Sequence, residues 1–141
     1  MNTKVILAVL CIVPALALAE ERTYSPGPVT AVTYVKIKAG MFDEYMKHLG
    51  GSYRAQMNEL KKAGLVTDYK IYTMPARNPS EPDMILAITY PNMAAFDKQS
   101  EFDAISQRVS GTFASQNKGF ADRGAMREVL GGMLIREQIL K

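Results

Sequence analysis

A single α+β domain of order β-α-β-β-α-β is the fold class this sequence predicts, on three observations. A strand-like alternation over residues 29–38 gives way at Gly40 to helical periodicity. Two further β-rich runs, 66–74 and 84–90, flank a proline-rich loop. A broken helical region then leads to a last apolar run over 133–140.

The first run is rich in β-branched and aromatic residues. In its second half Val35 and Ile37 point one way, and Tyr34, Lys36 and Lys38 the other. After Gly40 the apolar residues Phe42, Tyr45, Met46, Leu49, Tyr53, Met57 and Leu60 recur at steps of three or four, one face of a helix. Asp43 and Glu44 in its first turn and Lys61 and Lys62 in its last suit the helix dipole, and Gly64 suits its C-terminal end. Gly50-Gly51 is the flaw in that helix. It marks either a close approach by a ligand or partner, or close packing on the sheet, or a kink.

Residues 66–74 alternate Tyr69, Ile71 and Thr73 against Lys70, Tyr72 and Met74 as a second strand. Pro75, Pro79 and Pro82 make the following segment a rigid exposed loop, and residues 84–90, apolar on both faces, read as a central strand ended by Pro91. Asn92 is placed to cap a short helix from Met93. A second helical region follows with Phe102, Ile105, Val109 and Phe113, interrupted near Ser110-Gly111 and continued by Phe120. Gly131-Gly132 is expected to break the chain before the final strand. This order is the ferredoxin-like arrangement, a four-stranded antiparallel sheet with helices on one face. The strands carry more apolar surface than two helices can bury, so a second copy is expected on the other sheet face and the protein is expected to be a homodimer.

Residues 1–19 read as a cleaved signal peptide: Lys4, an apolar core from Val5 to Leu16, and the small-x-small site Ala17-Leu18-Ala19 before two acidic residues. Export to a periplasmic or secreted location is the expectation, with a retained anchor as the alternative and no stable membrane span after cleavage. The one cysteine, Cys11, falls in this segment, which leaves the rest of the chain without a disulfide. Residues 20–28 read as an extended lead-in and 29–141 as the domain. The chain carries 17 basic and 14 acidic side chains for a net charge of +3, with the signs mixed and no basic block, so a nucleic-acid partner is not expected.

Candidate chemistry is sparse. His48 is the single histidine and the one side chain that ordinarily titrates near neutral pH, so it is the candidate general base or axial haem ligand; it sits at the border of the apolar stripe. Tyr34, Lys36, Lys70, Tyr72, Arg136 and Gln138 are strand positions that could line a pocket for a phenolic or carboxylate-bearing ligand if alternation places them on one face. Arg123 and Arg127 stand at i and i+4 and, if helical, could clamp an anion. No metal is expected from one histidine and a lone leader cysteine, and no cofactor is expected.

The stretch Tyr34-Val-Lys-Ile-Lys-Ala-Gly-Met-Phe-Asp-Glu-Tyr45, the strand 84–90 ending at Pro91 and the closing strand 133–140 resemble the dimeric α/β-barrel superfamily. The layout is similar to the NIPSNAP-like, EthD-like and antibiotic-biosynthesis-monooxygenase-like branches. The resemblance implies a two-sheet barrel between protomers with a pocket between each sheet and its helices. Some members are cofactor-free oxygenases, some bind or degrade haem, and many have no known activity, so haem is left open. A chain with no tryptophan and one histidine does not carry over their catalytic sets. The expectation is a homodimer that binds a small apolar or aromatic ligand. The alternative is a cofactor-independent monooxygenase- or isomerase-like enzyme acting on an aromatic or polyketide-like compound, with His48 or a pocket tyrosine as base.

Overall fold

A computed structural model describes residues 21–141. The leader features read over residues 1–19, including Cys11, lie outside the described residues. Strand β1 (Tyr24–Ile37) leads through Gly40 into helix α1 (Phe42–His48), a π-helical segment (Leu49–Tyr53) and helix α2 (Arg54–Lys62). Strands β2 (Asp68–Thr73) and β3 (Met84–Tyr90) follow. A 3-10 turn (Met93–Asp97), helices α3 (Gln99–Ser110) and α4 (Phe113–Arg123) and strand β4 (Arg127–Leu140) complete the chain.

The strands form one four-stranded sheet in the order β2-β3-β1-β4 with every pair antiparallel. That is the ferredoxin-like fold expected from the element order. Among the described residues no helix is long and apolar enough to cross a membrane.

Pairing register sorts the strand residues onto two faces. Val29 and Val35 of β1 and Met84 of β3 point to the helices and are buried. With Tyr45 and Leu49 from the first helix, Val35 and Met84 form one core cluster. Met57, Leu60, Leu65, Val66 and Ile105 form a second under α2 and α3. Tyr53 packs against both, its ring edge-on to Tyr69 at 6.0 Å. The opposite face carries the rows Tyr72–Ile85–Tyr34 and Lys70–Ala87–Val32–Met133, and no helix covers it.

Several local features differ from the sequence reading. The extended lead-in is part of β1 from Tyr24, pairing with Leu140; Pro26 and Pro28 are tolerated because β3 ends at Tyr90 opposite Val29, leaving that stretch one neighbour only. Gly50-Gly51 produces a π-helical kink, with Gly51 at φ −98° and ψ −105°, and a Cβ on either residue would meet nothing within 4 Å. Close packing on the sheet is therefore not its cause. Asn92 makes no side-chain capping bond, whereas Thr112 does cap α4, its Oγ1 accepting from Ser115 N at 3.3 Å. Gly131-Gly132 lies inside β4 and does not break it. Gly131 takes φ +147°, and a register shift falls between Tyr34 and Val35 opposite it.

Two glycine substitutions test these assignments by thermal unfolding. Gly132→Ala puts a Cβ 2.5 Å from Val32 O, a backbone atom, and should destabilise by about 1–3 kcal/mol. Gly50→Ala enters open space and should stabilise by about 0.5–1 kcal/mol through helix propensity. Loss of stability at Gly50→Ala would mean that the pair admits a neighbour the kink does not explain.

Candidate functional site

The helices do not seal against the sheet everywhere. Between α1, the π segment, α4 and the sheet lies a cavity of about 360 Å³, walled by Tyr45, Tyr53, Leu86, Ile88, Phe120 and Val129. His48, Ser52, Arg123 and Arg127 supply the polar groups. A second, more open cavity of about 610 Å³ adds Gln116, Asn117 and Asp122. Both are bounded by His48, Ser52, Phe120 and Arg123, so the outer space is the mouth of the inner one.

The π segment contributes Ser52 and Tyr53 to the lining. Helical spacing aligns Ser52 with α1: Tyr45, His48 and Ser52 follow at three and four residues and share one side. The Tyr45 and His48 rings stack at 6.0 Å and 21°, and Ser52 Oγ shares a hydrogen bond with His48 Nδ1 at 3.1 Å. Partial burial pushes the His48 pKa below its ordinary value, and the charges of Arg123 and Arg127 push it further the same way. His48 is therefore neutral at pH 7.

Arg123 is the last residue of α4 and Arg127 the first of β4. The i, i+4 helical face expected for them does not form, because the helix ends in a turn, with Gly124 N donating to Ala121 O at 2.9 Å and Met126 N to Arg123 O at 3.0 Å. The turn nonetheless brings the two guanidinium groups to one ring, Arg123 Cζ 5.6 Å and Arg127 Cζ 5.5 Å from the Phe120 centroid. Arg127 also lies over the Tyr45 ring at 5.6 Å. Burial, then the Arg127 charge, lowers the Arg123 pKa. Burial raises that of Tyr45, partly offset by Arg127, and pushes Tyr53 well above the usual tyrosine range. Tyr53 Oη and Arg127 Nε are buried without a hydrogen-bond partner.

The strand candidates fall elsewhere. Tyr34, Lys70 and Tyr72 line a separate hollow of about 450 Å³ on the helix-free face with Met133 and Ile135. Lys36 shares the parity of Tyr34 and is paired with Asp83 at 3.5 Å. Arg136 pairs with Val29 and so carries the opposite parity, and Gln138 pairs with Pro26 beyond the register shift. The six residues therefore do not make one pocket. A groove of about 520 Å³ by Phe42, Met74 and Pro75 includes Lys38 and Asp83, but Asp83 already accepts from Ile37 N at 2.9 Å and binds Lys36. Sequence reasoning placed Tyr45 and Tyr53 in the apolar stripe without seeing them as cavity walls, and it passed over Ser52. The i+4 spacing of Ser52 from His48 was the available signal.

Comparison with protein-family models gives no match, and comparison with curated protein sequences gives none either. Solved structures do match. HapK from Hahella chejuensis aligns with a TM-score of 0.52 at 14% identity, over 77% of this chain and 91% of that one. A dimeric ferredoxin-like protein from an uncultured marine organism aligns with a TM-score of 0.53 at 11% identity, over 83% of this chain and 98% of that one. At these identities the likeness establishes the ferredoxin-like fold.

A chain with one histidine allows a direct test of the site's field by NMR titration. The His48 midpoint should lie below the ordinary value of about 6.5 and move up toward it in Arg123→Gln. The linked stability follows in sign. A lowered folded pKa means the unfolded chain binds the proton more readily, so stability falls as pH drops from the unfolded value to the folded one. His48→Gln should flatten that part of the profile. An unshifted midpoint in the wild type would contradict the partial burial of His48, and a midpoint unmoved by Arg123→Gln would contradict the placement of that arginine.

Proposed function

We propose that the protein is an exported homodimer, joined through the helix-free sheet face, that binds a small apolar or aromatic molecule in the cavity between helices and sheet. The observation that carries the binding reading is the cavity itself: about 360 Å³, walled by aromatic and aliphatic side chains, with its few polar groups gathered on one side. Pockets of this make hold compact ligands by burial and orient them by a small number of polar contacts.

The dimer reading rests on what the sheet leaves bare. Tyr72, Met133 and Ile135 on the helix-free face are each 49% exposed. An apolar surface of this extent on a single sheet face is uncommon on a monomer. The marine ferredoxin-like neighbour is itself described as dimeric. Export is supported by the leader pattern over residues 1–19.

One observation favours a second reading, a cofactor-independent monooxygenase- or isomerase-like enzyme acting on an aromatic or polyketide-like compound. His48 opens onto the cavity, is neutral, and is held by Ser52, which is the state a general base requires. It would remove a proton from the bound compound, while the two arginines would stabilise the charge that develops.

Native mass spectrometry of the purified chain should show a dimer carrying a reproducible small-molecule mass. Met133→Asp, which puts a charge into the apolar part of the helix-free face, should give a folded monomer in light scattering. A wild-type monomer would overturn the dimer. Under the enzyme reading, His48→Ala should lower turnover by about 10²–10⁴-fold with ligand affinity retained; unchanged turnover would remove His48 as the base.

A further inference from the structure

The polar side of the cavity has a sign. Neither Arg123 nor Arg127 takes part in an ion pair among the described residues. The acids next to them in sequence are turned to other work or another face. Asp122 borders the outer cavity, where its carboxylate accepts from Lys118 Nζ at 2.8 Å. Glu128 pairs with Lys36 and so carries the parity of the helix-free face. The remaining titratable groups beside them add no negative charge: His48 ionises only to a cation, and burial raises the pKa of Tyr45 and Tyr53.

Two cationic groups are thus half-buried against one aromatic ring with nothing opposite in charge. A cation moved out of water needs a partner, and guanidinium is the side chain best matched to a carboxylate, which it grips through two parallel hydrogen bonds. The buried Arg127 Nε, unpartnered, is a donor waiting for such an oxygen. Beside it the exposed ring of Phe120, 5.5 Å from the Arg127 guanidinium carbon, offers a surface to a planar ligand, while the buried Tyr45, with His48 stacked on it and Arg127 over its ring, backs the site. Tyr53 Oη, also unpartnered, is a further donor on the cavity wall.

Resting on the pocket reading above, we infer that the ligand is a small aryl carboxylate, its carboxylate held by Arg123 and Arg127 and its ring set against Phe120. Charge selects the ligand and the apolar wall retains it. A neutral molecule of the same shape fits but leaves both guanidinium groups unpaired.

The test compares 2-naphthoate with 2-naphthamide, nearly the same shape and differing in charge, by isothermal titration calorimetry on the purified chain. The carboxylate should bind at least about tenfold more tightly, the difference expected when a charged group gains charge-assisted hydrogen bonds. Arg123→Gln should bring the two affinities together while leaving that of the amide within about twofold. Arg127→Gln should do the same. Because Arg127 also packs on Tyr45, Arg123→Gln alone decides if the Arg127 variant fails to fold. Equal binding of acid and amide to the wild type would overturn the charge inference and leave the pocket standing. Binding of neither would overturn the pocket and the inference with it. A preference for the acid that survives Arg123→Gln and a folded Arg127→Gln would overturn the assigned residues.

Discussion

Strand β1 is the constraint on which the rest of the structure depends, because it is hydrogen-bonded on both sides and uses both of its faces. It pairs with β3 from Val29 to Val35 and with β4 over nearly its whole length. Period-two alternation then allows no freedom. Val29, Thr33 and Val35 go to the helices, and Thr30, Val32 and Tyr34 to the bare face. A slip of one residue would put Tyr34 and Lys36 into the core and Val35 into solvent. The burial of Val35 at 0% exposure makes that slip expensive.

The cavity follows from how the helical layer meets this strand. A regular helix from Phe42 to Lys62 would present one continuous stripe to the sheet. The π segment divides it, so that Tyr45 and Leu49 pack in one cluster and Met57 and Leu60 in another, with Tyr53 between. Space is left beside Tyr53. The turn from α4 into β4 delivers two arginines to its edge, and Thr33 and Val129 close it from the sheet. Nothing acidic enters. The same arrangement that holds His48 neutral leaves the guanidinium groups unmatched, so the base candidate and the anion site are two consequences of one local field.

Much of this was legible in the sequence. Alternation gave β1 and β2, a continuous apolar run ended by Pro91 gave β3, and the three-and-four spacing gave the long first helix, because each is a local pattern with a local cause. His48 was nominated as a base and Arg123 with Arg127 as an anion clamp, two separate candidates. Their convergence depends on α4 ending at Arg123 and on β4 pairing with β1, and both are tertiary facts. The face assignment of β4 was out of reach for a related reason. Whether Met133 or Arg136 joins Tyr34 is decided by the pairing register and by the irregularity at Gly131, which no alternation within β4 reveals. The kink was visible as two glycines but ambiguous in purpose, since propensity measures what a glycine costs a helix and says nothing of what surrounds it.

The central claim is that ligands enter the space between helices and sheet. Mapping amide and aromatic-ring NMR shifts of the full chain during titration with 2-naphthoate tests it most directly. The account places the largest shifts at Tyr45, His48, Ser52, Tyr53, Phe120 and Arg127, with the helix-free face unmoved. Shifts concentrated at Tyr34, Lys70, Tyr72 and Met133 would contradict it, and would move the binding site to the other side of β1.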